Sequence, residues 1–250
     1  MDRLIHTALN SLQIVKDNGF LRSNNLANAS VPGFRSDYHL KTAGTAFYDN
    51  YQTHVTRGLS VTDDTNVFNQ APGSLDETGN SFDVAIKDEG YFITQTPLGP
   101  SLSRRGDFGV DDEGKLINGS LAVLLDDQLQ PINIPPHRNI NFTATGEIVI
   151  EPLGSDPGTQ ETVAKLGLVK PTSALKKSPD GEIRYEDGSP IVATEGVTVL
   201  NKFLEASNVN LMEELVTSIE EQRIFEINLK LVKAAEDIDR SGASLMKMPS

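Results

Sequence analysis

Apolar residues near the start of the chain, Leu4, Ile5, Ala8, Leu9, Leu12 and Val15, recur mostly at three- and four-residue intervals. That spacing gathers them on one narrow stripe of an α-helix and leaves the opposite face polar. A second, longer helix is written into the other end. Asn210 and Glu213 stand at the spacing of a capping box, in which each side chain satisfies a backbone amide left without a partner at a helix start. From there to about Leu245 no proline interrupts, and the one glycine is Gly242. A helix of roughly 30 residues would be about 45 Å long at 1.5 Å per residue.

The apolar positions of this second helix run in two phases. Val209, Met212, Val216 and Ile219 alternate three and four apart, and so do Ile224, Ile227, Leu231, Ala234 and Ile238. The phase slips between Ile219 and Ile224, so one strict heptad seam does not run the full length. Val216, Ile227 and Ile238 are eleven apart, a spacing that favours a straighter or slightly right-handed winding. Two stripes of similar width at opposite ends predict terminal helices paired in a coiled-coil-like layer, with each other and with copies in neighbouring subunits. The plainer alternative is a long helix lying on its own domain.

Between the helices the pattern changes. Turn residues punctuate it at Asp88-Glu89-Gly90, Asp112-Glu113-Gly114, Thr145-Gly146, Asp180-Gly181 and Asp187-Gly188. The runs between them, such as FDVAI, YFITQT, LAVLL, EIVI and GVTVL, are short and β-rich. They predict a central antiparallel β-rich domain, barrel-like or sandwich-like, and hence an α+β fold. Leu40 to Leu75 is rich in Thr, Asn and Gly and shows neither period, so it reads as an extended connector. The expected organisation is a helical domain from residues 1–35 with 205–250, a linker over 36–75, and a β-rich domain over 76–204.

Composition narrows the function. The chain has 250 residues, a net charge of −13 and no cysteine. The charge opposes nucleic-acid binding, which needs clustered Lys and Arg, and the missing thiols exclude disulfides and Cys-ligated metals. No stretch approaches the roughly 18 apolar residues of a membrane span, so no membrane insertion is expected. The N-terminal residues lack the unbroken apolar core of a signal peptide, so export, where it occurs, is expected without a cleaved signal. Motifs for a nucleophile elbow, a dinucleotide loop and a phosphate loop are all missing. The four histidines, His6, His39, His54 and His137, have none of the i, i+3 or i, i+4 spacing of a helical metal site. The acidic stretch Asp111-Asp112-Glu113-Gly114 fails the EF-hand pattern, because Gly109 stands two residues after Asp107, and it reads as a hairpin turn. Asp83 and Asp107 are a candidate carboxylate pair whose proximity cannot be read from spacing. No enzyme activity and no cofactor is expected.

The stretch NNLANASVPGFRSDY, Asn24 to Tyr38, carries no chemistry of that kind. Its amides, Asn24, Asn25 and Asn28, both donate and accept, and suit the exposed backbone groups of a helix end. Gly33 permits the positive φ of a sharp exit, Pro32 fixes the approach, and Phe34 offers an apolar anchor.

The same stretch resembles the N-terminal motif of bacterial flagellar axial proteins, the rod and hook family. Three further stretches resemble the family in the expected order: FDVAIKDEGYF at Phe82 to Phe92, SRRGDFGVDDEGKL at Ser103 to Leu116, and EASNVNLMEELVTSIEEQRIFEINLKLV at Glu205 to Val232. The resemblance implies a structural subunit of the proximal rod in the basal body, with a distal rod subunit as the near alternative. It implies an inner helical layer with the β-rich middle outside it. The implied partners are further copies of the chain, other proximal and distal rod subunits, and the flagellar type III export apparatus, with the periplasmic rod as location. It casts Asn24 to Tyr38 as a joint between layers. The assembly surface then comprises Leu4, Ile5, Ala8, Leu12 and Val15, the turn residues Asn25, Asn28, Pro32, Gly33 and Phe34, and, toward the C-terminus, Asn208, Asn210, Val216, Ile219, Ile227, Leu231 and Ile238. A rival of another class is a soluble periplasmic binding module whose helices serve only for dimerisation.

Overall fold

A computed structural model describes residues 2–38, 67–87, 89–178 and 180–246. Most of the expected connector, including Leu40, lies outside the described residues. The described chain divides into two compact units, one of residues 2–27, 37–38 and 210–246, the other of residues 28–36 and 67–209.

The first unit is a helix pair. The N-terminal helix spans Asp2–Ala27 and the C-terminal helix Leu211–Met246, the latter 36 residues and so about 54 Å long. Asn210 begins it as foreseen: its Oδ1 accepts from the Glu213 amide at 3.3 Å and its carbonyl from the Glu214 amide at 3.0 Å. Glu213 and Glu214 in the first turn also suit the positive end of the helix dipole. The two helices pack against each other, as the stripes predicted.

The second unit is antiparallel β throughout. In its largest sheet Tyr91–Thr96 is central, pairing with Gly99–Ser103 on one side and with Val123–Leu124 and Leu168–Val169 on the other. A separate three-stranded sheet joins His137–Phe142, Glu147–Pro152 and Glu161–Lys165. Alternation along Tyr91–Thr96 divides the apolar interior. Phe92 enters one core with Val84, Phe108, Leu116, Phe142 and Ile148, while Tyr91 and Ile93 enter a second with Phe68, Leu102, Ile183 and Tyr185. Both faces of this strand are therefore covered, and that is why apolar Tyr91, Phe92 and Ile93 follow one another without a polar residue between them. The Asp111 turn is the predicted hairpin: Asp111 Oδ1 accepts from the amides of Glu113 and Lys115 between the paired strands Phe108–Val110 and Leu116–Asn118.

Two short ribbons close the unit, and both pair early strands with late ones. Val84–Ile86 lies against Val199–Asn201, and Leu75–Glu77 against Phe203–Glu205. The backbone approaches itself closely here. A Cβ added at Gly106 would fall 1.7 Å from the Val84 carbonyl oxygen, whereas one at Gly109 meets nothing within 4 Å. Gly106→Ala should therefore lower the stability of this unit by about 3 kcal/mol or more, and Gly109→Ala should change it by no more than about 0.5 kcal/mol. Denaturant melts of both variants followed by circular dichroism check this pair.

Candidate functional site

Residues 28–36 begin as a turn and end as an anchor. The Val31 amide donates to the Asn28 carbonyl at 3.1 Å, and Gly33 follows with φ at +67°. A Cβ on Gly33 would lie 2.3 Å from the Arg104 carbonyl oxygen, so both conformation and space select glycine. Beyond it the backbone binds the chain just before the C-terminal helix: the Gly33 amide donates to the Glu205 carbonyl at 2.7 Å and the Asn208 amide to the Phe34 carbonyl at 3.2 Å. Asn208 completes the clamp with its side chain. Its Oδ1 accepts from the Ser36 amide, and its Nδ2 donates to the carbonyls of Asn69 and Ala71.

At the centre of this anchor sits a buried charge cluster. Arg35 Nη1 lies 2.6 Å from Glu205 Oε1, and Arg104 Nη1 lies 3.2 Å from Glu205 Oε2, with the Arg35 and Glu205 side chains each 1% exposed. The Gly73 amide adds a bond to Glu205 Oε1, and Arg104 donates to the Ile86 carbonyl. Lys177 Nζ donates to the Arg35 carbonyl at 2.8 Å and stands 4.0 Å from the centre of the Phe34 ring. Arg104 lies over the Tyr91 ring. Burial pushes the Tyr91 hydroxyl above its usual pKa, against the pull of the Arg35 and Arg104 charges.

The helix pair has its own polar contacts. Asn25 Nδ2 donates to Glu214 Oε1 and to the Asp37 carbonyl, and Asn25 Oδ1 accepts from the Asp37 amide. Arg22 pairs with Glu214 at 2.8 Å and with Glu221 at 2.9 Å. Burial opposes its charge, but the two carboxylates outweigh that and hold the Arg22 pKa above its ordinary value. Farther along, Asn228 Nδ2 donates to Ser11 Oγ at 2.8 Å. Numbers fall on one helix as they rise on the other, so the helices run antiparallel.

Those contacts correct the expected packing face. Along the C-terminal helix the side chains turned toward its partner are Glu214, Glu221, Asn228 and Ala235, seven apart, and the last three are buried. Val216, Ile219, Ile227, Leu231 and Ile238, the expected stripe, are exposed in the single chain, Ile219 to 62%. A seven-residue spacing thus marks the shared face, and the residues at it are polar or small, which an apolar period cannot reveal; Val232 beside them is half-buried. On the N-terminal helix Ala8 is buried and Leu12 and Val15 are half-buried, while the side chains of Leu4 and Ile5 lie outside what the structure describes.

The other candidates resolve individually. Asn28, Pro32, Gly33 and Phe34 gather with Asn208 in the β-rich unit, whereas Asn25 and Asn210 belong to the helix pair. The backbones of Asp83 and Asp107 do come together in an antiparallel bridge. Their carboxylates are held by other groups, Asp83 by Thr78 and Asn80, Asp107 by Arg105. Among the described residues no cluster of three or more His, Asp and Glu side chains is placed to hold a metal. The anchor residues Arg35, Tyr91, Arg104 and Glu205 escaped the sequence reading. A signal was present, because each of the four stretches that resemble the axial family supplies one of them.

Comparison with known proteins bears on the resemblance of these stretches. The family described as flagellar basal body rod FlgEFG protein C-terminal matches residues 200–245. The flagellar basal-body rod protein FlgF of Escherichia coli (strain K12) is 30% identical over 99% of this chain and 100% of its own. The chain belongs to the flagellar basal-body rod protein FlgF/FlgG family. FlgF of Salmonella typhimurium (strain LT2) is 29% identical over 99% of this chain and all of its own, and FlgG of Buchnera aphidicola subsp. Schizaphis graminum 31% over 86% and 89%. The family is structural, so the non-enzymatic reading follows from membership, as does assembly with rod subunits. Among the described residues no helix is long and apolar enough to cross a membrane.

Removing the central carboxylate tests the anchor. Glu205→Gln leaves two guanidinium groups buried without a counter-charge and should cost about 3–5 kcal/mol. Glu236→Gln, which breaks the exposed pair Arg240–Glu236, should cost less than about 1 kcal/mol. Equilibrium unfolding in urea compares the two.

Proposed function

We propose that this chain is the FlgF-type subunit of the proximal rod, a structural element that polymerises with further copies of itself and with other proximal and distal rod subunits into a helical tube. The observation that carries the reading is the outward apolar surface of the helix pair. Met212, Val216, Ile219, Ile227 and Ile238 on one helix, and Phe20 at 77% exposure on the other, stand in solvent in the single chain. Large apolar side chains that recur along a helix and stay exposed support a face that another protein covers. The FlgF proportions support the proximal position, since the two FlgF relatives align over their whole length. A distal position is the second reading, favoured by the FlgG match at 31% identity.

In the proposed tube the helices form the inner layer and head-to-tail contacts that do not close a ring extend it. Residues 24–38 connect the helical and β-rich parts, with Asn28, Pro32 and Gly33 shaping the turn. The chain reaches the periplasmic rod through the flagellar type III export apparatus, unfolded and without a cleaved signal. Helices whose apolar faces lack partners suit that route, because they are marginal until neighbours cover them.

Ile227→Asp tests the surface. Ile227 is half exposed, so the charge should leave the melting curve of the purified chain unchanged while rod assembly and swarming fail. Full motility with the variant protein present at normal level would remove the assembly role from this face.

A further inference from the structure

The helix pair shares a seam rich in polar and small side chains, while several large apolar side chains stand exposed outside it. We propose that Arg22, Asn25 and Ser11 with Glu214, Glu221 and Asn228 form a register lock, which fixes how far the two terminal helices slide against each other. The lock thereby decides which apolar side chains stand at the same level on the surface that neighbouring subunits meet. The first statement concerns the single chain, and only the second rests on the rod reading above.

The argument begins with what an apolar seam would do. A row of leucines at heptad spacing tolerates slippage, because each knob finds an equivalent hole seven residues away, and a polar group at such a position removes that degeneracy at some cost in stability. Here the polar contacts run from one end of the seam to its middle. Arg22 and Asn25 engage Glu214 and Glu221 at that end, and Ser11 engages Asn228 about halfway along. A slip of one heptad in one direction offers Glu221 to Arg22 and Asn25, but it strips Glu214 of both partners and sets Ser11 against Ala235, which has no group to bond. A slip in the other direction carries Asn25 past the helix start at Leu211. Small residues, the buried Ala8 and Ala235, allow the close approach that these short side chains need. The apolar residues that would have strengthened the seam, Ile219, Ile227 and Leu231, face outward instead. The seam therefore supplies specificity in place of strength.

The chain has no native cysteine, so one introduced pair reports the register without background. The purified full chain carrying Ser11→Cys with Asn228→Cys reads the observed register, and Ser11→Cys with Ala235→Cys reads the slipped one. With Arg22, Glu214 and Glu221 intact, the first disulfide should form at least about tenfold more readily than the second. With all three replaced by leucine, the two yields should converge to within about threefold while far-ultraviolet circular dichroism shows helix retained. Where the leucine chain gives neither disulfide, a background of Arg22→Met, Glu214→Gln and Glu221→Gln is read by the same ratio. A tenfold preference that survives the loss of the charged residues overturns the lock. So does equal cross-linking with the charged residues in place. Normal swarming by a chain whose register has scrambled would overturn the link to neighbouring subunits alone, leaving both the lock and the rod role standing.

Discussion

The Glu205 carboxylate holds the β-rich unit closed from a position where water does not reach. It binds Arg35 from the segment before the strands and Arg104 from their middle, and its own backbone continues the last ribbon of the unit. Ion pairs buried this deeply add little net stability, because desolvation offsets their attraction, yet the loss of one partner is severe. Residues 28–36 and 203–209 are tied together here by the Arg35–Glu205 pair, and Arg104 ties Glu205 to the strands. Gly33, Gly73 and Gly106 serve the same closure by letting backbone meet backbone where a side chain would collide.

The helix pair follows the opposite logic. Its shared face is bonded through partly exposed ion pairs and amides, each worth on the order of 1 kcal/mol or less, while burying one leucine or isoleucine is worth about 1.5–3 kcal/mol. A chain that places isoleucines outside and glutamates inside has its strongest potential contacts unmade. In the proposed rod, neighbouring subunits make them. The β-rich unit, with two apolar cores of its own, needs no such help. On the proposed reading, one sequence contains a part complete in isolation and a part completed by assembly.

How much of this was legible follows from the kind of signal each part carries. The strands at Tyr91–Thr96 and Glu147–Pro152, the Asp111 hairpin and the cap at Asn210 were readable because local pattern determines them. Pairing of the terminal helices was expected as well, although the C-terminal stripe that suggested it stays exposed in the single chain. The face of that pairing was not, because Glu221 and Asn228 look like solvated helix positions until a partner is placed beside them. Arg35 and Glu205 were hidden for a related reason: a charged residue is expected at the surface, and only long-range folding brings the two within 2.6 Å. The resemblance motifs marked the right stretches without telling which residue in each one mattered.

Hydrogen exchange tests the division between a finished part and an unfinished one most directly. Amides of the purified single chain and of assembled rods are compared by mass spectrometry over the same peptides. The β-rich strands, Tyr91–Thr96 and Glu147–Pro152 among them, should be strongly protected in both states. Leu211–Met246 should exchange at least about a hundredfold faster in the single chain than in the rod, because its apolar face is covered only on assembly. Equal protection of that helix in the two states would contradict the account, since the helix pair would then be complete without neighbours.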